Sequence, residues 1–159
     1  MEKSDIIKLI VSILICQAAG LIGSFFTIPA IPTWYAMLKK PSFNPPNWVF
    51  GPVWTTLFVM MGVAVFLVWR KGLNTSQVKI ALSIFGVQLI LNTLWSLLFF
   101  GLRSPLAGLI EIWVLWIAIT LTLVFFLKIS LAAGLLLLPY LAWVSFAAIL
   151  NLAIWRLNS

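Results

Sequence analysis

The residues best able to do chemistry in this chain are aromatic rings and amides that recur along three apolar segments. The three sets are Gln88, Asn92, Trp95, Ser96 and Phe99; then Tyr140, Trp143, Ala147, Leu150 and Asn151; then Trp54, Phe58 and Met61. Spacings of three and four residues place each set on one face of a helix. Three such faces turned towards one another enclose a pocket lined by flat rings with a few amides. That lining suits a planar aromatic ligand, held by stacking and a few orienting hydrogen bonds.

Conventional catalytic groups are missing from the sequence. The chain has no histidine, which excludes histidine metal sites, histidine-based catalysis and axial histidine ligation of haem iron. Its single cysteine, Cys16, cannot form an intrachain disulfide. No paired carboxylate, phosphate-binding loop or zinc-ligand spacing is present either. We therefore predict no metal site and no obligatory cofactor, and any chemistry must come from the ligand or from redox-active aromatic rings.

The aromatic and amide residues also have simpler interpretations. Amides within membrane helices often only hydrogen-bond a neighbouring helix. Tryptophans near the ends of spans often anchor the chain at the bilayer interface. The anchoring interpretation is favoured for four residues, namely Trp34, Trp48, Trp69 and Trp155. Trp54, Trp95 and Trp143 lie deeper and belong to the sets above, so a pocket-lining position is favoured for them.

Two further features stay open between functional and structural interpretations. Glu111 is the only acidic residue inside a predicted span, and an ionisable residue there indicates either a functional site or a structural bond to a neighbouring helix. The first span contains small residues at spacings of three and four, which permit close helix approach. These are Ala19, Gly20, Gly23 and Ser24. They predict contacts either within the bundle or at a dimer interface.

The elements that must position these residues are membrane-spanning helices. The chain has 159 residues, of which 64% are hydrophobic and 8% charged, whereas a soluble domain carries about 25% charged residues. Basic residues exceed acidic ones by 10 to 3, but they stand singly or in pairs beside apolar runs. Such placement is typical of interfacial anchors, and no nucleic-acid-binding patch is indicated. The sequence therefore predicts an integral membrane protein with the lipid bilayer as its partner.

Five apolar stretches reach the length of about 20 residues that a spanning helix needs. They predict an all-α bundle of five transmembrane helices in a single domain covering 1–159, with helices at about 5–26, 49–69, 79–100, 105–128 and 131–155. The first stretch is longer than the apolar core of a signal peptide, so we expect it to stay in the mature protein. Pro139 lies inside the fifth stretch and predicts a kink, which either opens a gap beside the pocket or only improves packing.

Only the first connection, at about 27–48, is long, and its prolines and tryptophans predict a structured loop.

With five spans, the chain termini face opposite sides of the membrane. Six basic residues then fall on the N-terminal side, which weakly favours an inside N-terminus. The four on the other side are Lys39, Lys40, Arg103 and Arg156.

Several ordered motifs resemble one known family. Residues 44–50 read NPPNWVF and residues 52–55 read PVWT; residues 88–92 read QLILN, followed by Trp95-Ser96 and Phe99-Phe100; residues 139–143 read PYLAW. Together they resemble the translocator protein family, also called tryptophan-rich sensory proteins (TspO/MBR), from about Trp34 to Arg156.

This resemblance implies a five-helix bundle, often a homodimer, with a ligand pocket among the helices covered by the first loop. Family members bind porphyrins such as protoporphyrin IX, drug-like isoquinoline carboxamides or benzodiazepines, and in some cases cholesterol. The positions that match the family's pocket lining are Tyr35, Trp54, Phe58, Asn92, Trp95, Ser96, Phe99, Trp143, Ala147 and Leu150. In bacterial members, tryptophans matching Trp54 and Trp143 are implicated in light-dependent porphyrin breakdown.

Two departures from the family pattern narrow these expectations. The C-terminal segment 150–156 lacks the tyrosine of the animal sterol motif, which argues against cholesterol and favours a prokaryotic cell membrane. Glu111 stands where many members have aspartate. The leading prediction is a tetrapyrrole-binding membrane receptor or sensor. The alternatives are a light-dependent porphyrin-degrading enzyme, in which Trp54 and Trp143 would be catalytic, and a transporter of porphyrins or other amphipathic small molecules.

Overall fold

Lipid offers the backbone no hydrogen-bonding partners, and the chain meets this condition by folding largely into helices. The computed structural model describes residues 3–159. Its elements are α1 Lys3–Ala30, continued by a π-helical turn Ile31–Tyr35; α2 Asn47–Trp69; α3 Ser76–Ser96, continued by a π-helical turn Leu97–Gly101; α4 Pro105–Ile129; α5 Leu131–Leu135; and α6 Leu138–Asn158. Five helical stretches within 3–159 are long and apolar enough to cross a membrane. The predicted fold class, an all-α bundle of five transmembrane helices, is confirmed.

The first helix is longer, and the first loop shorter, than the sequence predicts. Helical backbone passes residue 26 and continues to residue 37, so only residues 38–46 connect it to α2. Pro29 and Pro32 lie in this extension and remove two backbone donors. The Thr33 hydroxyl donates to the carbonyl oxygens of Pro29 (2.7 Å) and Ala30 (3.4 Å). This is an ordinary back-bond of a threonine hydroxyl to the preceding helical turn.

The fifth predicted span consists of two helices. A turn at 136–137 separates α5 from α6, and Pro139 lies in the first turn of α6 instead of inside a continuous helix. Its missing N–H is not needed there, so the proline fits without breaking a helical hydrogen bond. The Ser130 hydroxyl caps α5 by accepting from the backbone N–H of Ala133 (3.4 Å). Apart from the end of the first span and the break at 136–137, every span boundary, counted with its π-helical turn, lies within three residues of its predicted position.

The helices pack closely at the end of the bundle that holds the N-terminus, which we call the closed end. Helix α1 packs against α2 and α3, while α4 packs against α3 and α6. Fully buried side chains at the closed end include Val68, Ala81, Phe126 and Ala133. A Cβ atom on Gly62 would lie 2.6 Å from the Ile13 Cα atom, so the backbones of α1 and α2 approach closely there. Large aliphatic side chains point outward around the bundle, as lipid contact requires.

The opposite end of the bundle, which carries the first loop, is built differently. We call it the loop end. Its small core consists of Tyr35, Phe99, Leu150 and Ile154, with Trp34, Trp95, Phe100 and Phe146 among the rings packed against it. Bulky rings fill much of this end of the bundle. The helices also enclose space at the loop end.

Candidate functional site

A cavity of about 370 Å³ lies at the loop end among α1, α2, α3 and α6. Pockets of roughly 300–1,000 Å³ are typical of small-molecule sites. All ten residues predicted for ligand binding line this one cavity: Tyr35, Trp54, Phe58, Asn92, Trp95, Ser96, Phe99, Trp143, Ala147 and Leu150. Nine of the ten belong to the three helix faces predicted from periodicity, and Tyr35 was implied by the family resemblance. Three other residues of those faces, Gln88, Met61 and Tyr140, do not line the cavity. Ligand binding by the ten residues stays a prediction.

Aromatic rings dominate the cavity wall and support one another. Trp95 stacks on Phe99 with ring centroids 5.1 Å apart and planes 17° apart. Trp54 lies 5.6 Å from Phe58 in a tilted arrangement. On the α6 side, Trp143 packs against Phe50 at 6.1 Å. Rings fixed by such contacts present flat surfaces with little conformational freedom, which favours stacking of another flat group.

A buried polar network lies behind the cavity and orients one of its amides. The Asn92 Nδ2 group donates to the Tyr140 hydroxyl (2.8 Å), and that hydroxyl donates to Gln88 Oε1 (2.9 Å). Gln88 Nε2 in turn lies 3.9 Å from the sulfur of Met61. Among these four residues only Asn92 lines the cavity. Because its Nδ2 group is committed to Tyr140, and its Oδ1 atom bonds to no group within residues 3–159, an acceptor oxygen remains available there.

The three cavity tryptophans differ in how their indole N–H groups are used. Trp95 Nε1 donates to Asn151 Oδ1 (3.2 Å), and Asn151 Nδ2 donates to the Pro105 carbonyl (2.8 Å), which ties the ring to α4 and α6. The indole N–H groups of Trp54 and Trp143 make no hydrogen bond to any residue in 3–159. They are donors without a protein partner, at the edge of an apolar cavity.

Helix α1 supplies a wall of the cavity that the sequence analysis missed. Its cavity-lining residues include Gln17, Ala19, Gly20, Gly23, Ser24 and Thr27. A Cβ atom on Gly20 would lie 2.5 Å from the Phe58 ring, and one on Gly23 would lie 3.0 Å from the Ser96 hydroxyl oxygen. Gly20 and Gly23 thus pack closely within the bundle, and a dimer interface at these residues stays a prediction. Their spacing was the available signal, but it indicates close approach to a helix and not a cavity.

The cavity reaches the outer surface between α1 and α2. Leu21 and Ile28 of α1 both line it and are 66% and 69% exposed. Towards the closed end, Gln17 Nε2 donates to the Thr55 carbonyl (3.0 Å) and joins the two helices. The opening therefore faces the region that lipid occupies.

The first loop is held in place at both ends by side-chain amides. The Tyr35 hydroxyl donates to Asn44 Oδ1 (2.7 Å). At the other end of the chain, Asn158 Oδ1 accepts from the Lys39 backbone N–H (3.0 Å), and Asn158 Nδ2 donates to the Lys39 carbonyl (2.9 Å). We call this Asn158–Lys39 pair of hydrogen bonds the clasp. Within residues 3–159 the loop segment 38–46 contributes no cavity-lining side chain, and Tyr35 is its link to the cavity.

No charged side chain from residues 3–159 lines the cavity. Lys40 lies just outside, with its ammonium nitrogen 4.8 Å from the centroid of the Tyr35 ring. Glu111 is 6% exposed in α4 and does not line the cavity. Neither of its carboxyl oxygens has a hydrogen-bond partner within residues 3–159, so the predicted structural bond to a neighbouring helix is not formed there.

The tryptophans predicted as interfacial anchors divide into two kinds. Trp48 is 74% exposed at the start of α2, as an anchor would be. Trp34 packs edge-on against Phe99 at 5.5 Å and is part of the loop-end core. A position near the end of a span therefore did not distinguish an interfacial anchor from a tryptophan that packs in the core.

Comparison with known proteins agrees with this architecture. A model of the TspO/MBR family matches residues 12–156. The "Tryptophan-rich protein TspO" of Archaeoglobus fulgidus is 51% identical over 156 residues, covering 98% of this chain and 99% of the relative. The human "Translocator protein" is 41% identical over 138 residues, covering 86% and 82%. The "Tryptophan-rich sensory protein" of Cereibacter sphaeroides is 38% identical over 125 residues, covering 79% and 77%.

Proposed function

The chain belongs to the TspO/MBR family of membrane proteins, and from this premise we propose that it is a tetrapyrrole-binding receptor or sensor that holds a porphyrin in the loop-end cavity. The observation that carries the proposal is the cavity itself, whose wall combines stacked rings with polar groups that lack a partner within residues 3–159. They include the indole N–H groups of Trp54 and Trp143, the Asn92 Oδ1 atom and the Ser96 hydroxyl. A porphyrin such as protoporphyrin IX offers a large flat face for the rings and pyrrole nitrogens for the polar groups.

The distribution of charge supports an amphipathic ligand with an anionic edge. The cavity lining is uncharged, and burying a carboxylate among apolar walls without a partner is costly. Lys40 approaches the ring of the cavity-lining Tyr35, and Lys39 is its neighbour in sequence on the first loop. In the proposed pose, the macrocycle lies among the rings while its propionates remain at the loop, near these two ammonium groups.

The first loop has a role in the same proposal as a cover for the bound ligand. Its hydrogen bond to Tyr35 connects it to a residue that lines the cavity and is only 3% exposed. The clasp then connects the loop to the last turn of α6. We expect loop position and ligand retention to be coupled through Tyr35.

The test is a porphyrin titration of the purified protein in detergent. Protoporphyrin IX should quench tryptophan fluorescence saturably and shift its own absorbance on binding. Trp54→Phe and Trp143→Phe each remove a hydrogen-bond donor and part of a stacking surface, so each should weaken affinity up to about tenfold. Trp113→Phe is the matched control, since Trp113 is 49% exposed on the outer face of α4 and does not line the cavity. Unchanged affinity in both cavity variants would exclude this cavity as the porphyrin site.

A second candidate function, light-dependent porphyrin degradation, is favoured by the free indole N–H groups of Trp54 and Trp143. An indole against the ring of a photoexcited porphyrin can donate an electron to it, with dioxygen from solution as the final oxidant. Following the porphyrin absorbance of the complex in light and in darkness distinguishes the two functions. Loss of absorbance faster than for free porphyrin, with a defined product, indicates an enzyme, and a stable spectrum indicates a receptor.

A further inference from the structure

A second, smaller cavity of about 180 Å³ lies on the outer surface of the loop end, between the last turns of α1 and the π-helical turn after α3. We call it the outer groove. It is lined by Phe25, Phe26, Pro29, Ala30, Phe100, Gly101 and Arg103. Phe25 is 78% exposed, so this wall of the groove faces outward into the region of the acyl chains. The Phe100 side chain also lines the larger cavity, but the two are otherwise formed by different residues.

Arg103 is the one lining residue of the outer groove that is not apolar or small. It comes two residues after the π-helical turn that ends the third span, and it is exposed. Its guanidinium makes no ion pair and no hydrogen bond with any residue in 3–159, although this group carries five N–H donors suited to a phosphate. The groove therefore consists of an apolar trough with a free cation at its rim.

The sign of the charge on this side of the membrane is uniform. Lys39, Lys40 and Arg156 are the other charged residues at the loop end, and all are basic. The acidic residues described are Asp5, at the closed end, and Glu111, which is buried in α4. No acidic side chain among the described residues is thus placed to neutralise Arg103, and an anion from outside the chain is the matching partner.

The backbone at Arg103 is strained. Its φ angle is +54°, in the left-handed region that glycine adopts without cost but that other residues adopt rarely. Strained residues of this kind persist where the surroundings hold them and concentrate at ligand sites. Glycine would adopt this backbone conformation without strain. The presence of arginine here therefore suggests that its side chain has a use.

From the apolar trough, the free guanidinium and the charge of this face, we infer that the outer groove binds one anionic phospholipid. One acyl chain lies along Phe25, Phe26 and Pro29, and the phosphate accepts hydrogen bonds from the Arg103 guanidinium at the level of the membrane surface. The arrangement of the groove matches that of a lipid. The Arg103 guanidinium lies just beyond the third span at the membrane surface, while the apolar wall extends deeper into the membrane. The site is separate from the proposed porphyrin cavity and does not depend on it.

The experiment counts lipids bound to the detergent-purified protein by native mass spectrometry, with phosphatidylglycerol added at increasing concentration. One phosphatidylglycerol should bind more tightly than the rest, and phosphatidylcholine should bind at least several-fold more weakly. Arg103→Gln should weaken that site about tenfold, because charge-assisted hydrogen bonds to the phosphate are lost. Phe25→Ala should weaken it a few-fold through the acyl chain, and Phe25 is too exposed for this change to disturb the bundle.

Three controls make the result decisive. Arg156→Gln and Lys39→Gln remove charges from the same side but outside the groove, and each should leave the tight site intact. Arg103→Gly relieves the backbone strain, so loss of the lipid in a variant that unfolds no earlier than wild type cannot reflect misfolding. Equal losses in Arg103→Gln and Arg156→Gln would overturn the site in favour of a diffuse surface charge. Retention by Arg103→Gln, or equally tight binding of inorganic phosphate alone, would also overturn it.

Discussion

The closed end and the loop end are built from the same five spans, yet the large cavity that the structure shows within residues 3–159 lies at the loop end. At the closed end, Gly62 lets the backbone of α2 approach Ile13 of α1. At the loop end, the same two helices flank the opening of the cavity, with Leu21 on one side and Thr55 on the other. The difference lies in the side chains between the helices. Small and aliphatic residues bring helices together in lipid, whereas rigid rings that lean on one another hold them apart.

The boundary between the two ends is the network of Gln88, Asn92 and Tyr140. It lies on the side of the cavity that faces the closed end, and all three side chains are at least nine-tenths buried. Hydrogen bonds among buried polar groups fix the orientation of their members, because an unmade bond in this environment is expensive. The closed end therefore packs the helices, the network orients side chains, and the loop end holds the cavity in which we propose that ligand binds.

The largest effect is expected from filling the closed end. In Gly62→Ala, the new Cβ atom would lie 2.6 Å from the Ile13 Cα atom, so the two backbones must separate. Overpacking of this kind costs about 1–3 kcal/mol or more, and the midpoint of thermal unfolding in detergent should fall clearly. Gly86→Ala is the matched control, since its Cβ atom meets nothing within 4 Å and alanine is the better helix former. Similar midpoints for the two variants would mean that the contact between α1 and α2 does not hold the closed end together.

The next largest effect is expected at the network. Tyr140→Phe removes one hydroxyl and leaves both Asn92 Nδ2 and Gln88 Oε1 without their partner, at a cost of about 1–3 kcal/mol. Tyr35→Phe serves as the comparison, because it removes a single hydrogen bond, to Asn44, on the more accessible loop. Thermal unfolding should therefore be lowered more by Tyr140→Phe. The reverse order would show that the loop, and not the network, organises the cavity.

The smallest effect on stability, with a specific effect on motion, is expected at the clasp. Asn158 is exposed, so Asn158→Ala should change unfolding by less than about 1 kcal/mol. It nevertheless removes both hydrogen bonds to Lys39, and amide hydrogen exchange in residues 38–46 should become several-fold faster. On the proposed function, porphyrin should also dissociate a few-fold faster. Ser159→Ala is the control. Unchanged amide exchange of residues 38–46 in Asn158→Ala would show that the clasp does not hold the loop.

Much of the fold and of the candidate site could be predicted from the sequence, because both rest on local periodicity. Lipid forces each apolar stretch into a helix, and the spacing of polar and aromatic residues then indicates which face turns inward. Nine of the ten predicted side chains that line the cavity lie on those inward faces, whereas Tyr35 was implied by the family resemblance alone. The wall supplied by α1 could not be predicted in this way, since Gly20 and Gly23 allow close approach without indicating where the partner helix ends and open space begins.

The turns and long-range bonds were also beyond the sequence pattern. The Thr33 hydroxyl bonds to the carbonyls of Pro29 and Ala30, contacts that exist only once the backbone is folded. The clasp joins residues 119 positions apart, and no local signal links an asparagine at the C-terminus to a lysine of the first loop. Likewise, the sequence places Trp95 and Asn151 on inward helix faces, but the hydrogen bond between them depends on how α3 and α6 are positioned.

The sequence by itself determined that the protein lies in lipid and how many spans it has, because both depend on composition. It also determined which faces of the aromatic-rich helices turn inward, because that depends on a period of 3.6 residues within one segment. The tertiary structure alone decided where the helices touch and where they part, which polar groups remain without a partner, and where Arg103 meets an apolar groove. Those outcomes depend on the sizes and positions of side chains from two or three helices at once. The stretch from Tyr35 to Trp54, rich in prolines and tryptophans, shows both: its rigidity can be read from its residues, and its attachment to Asn158 cannot.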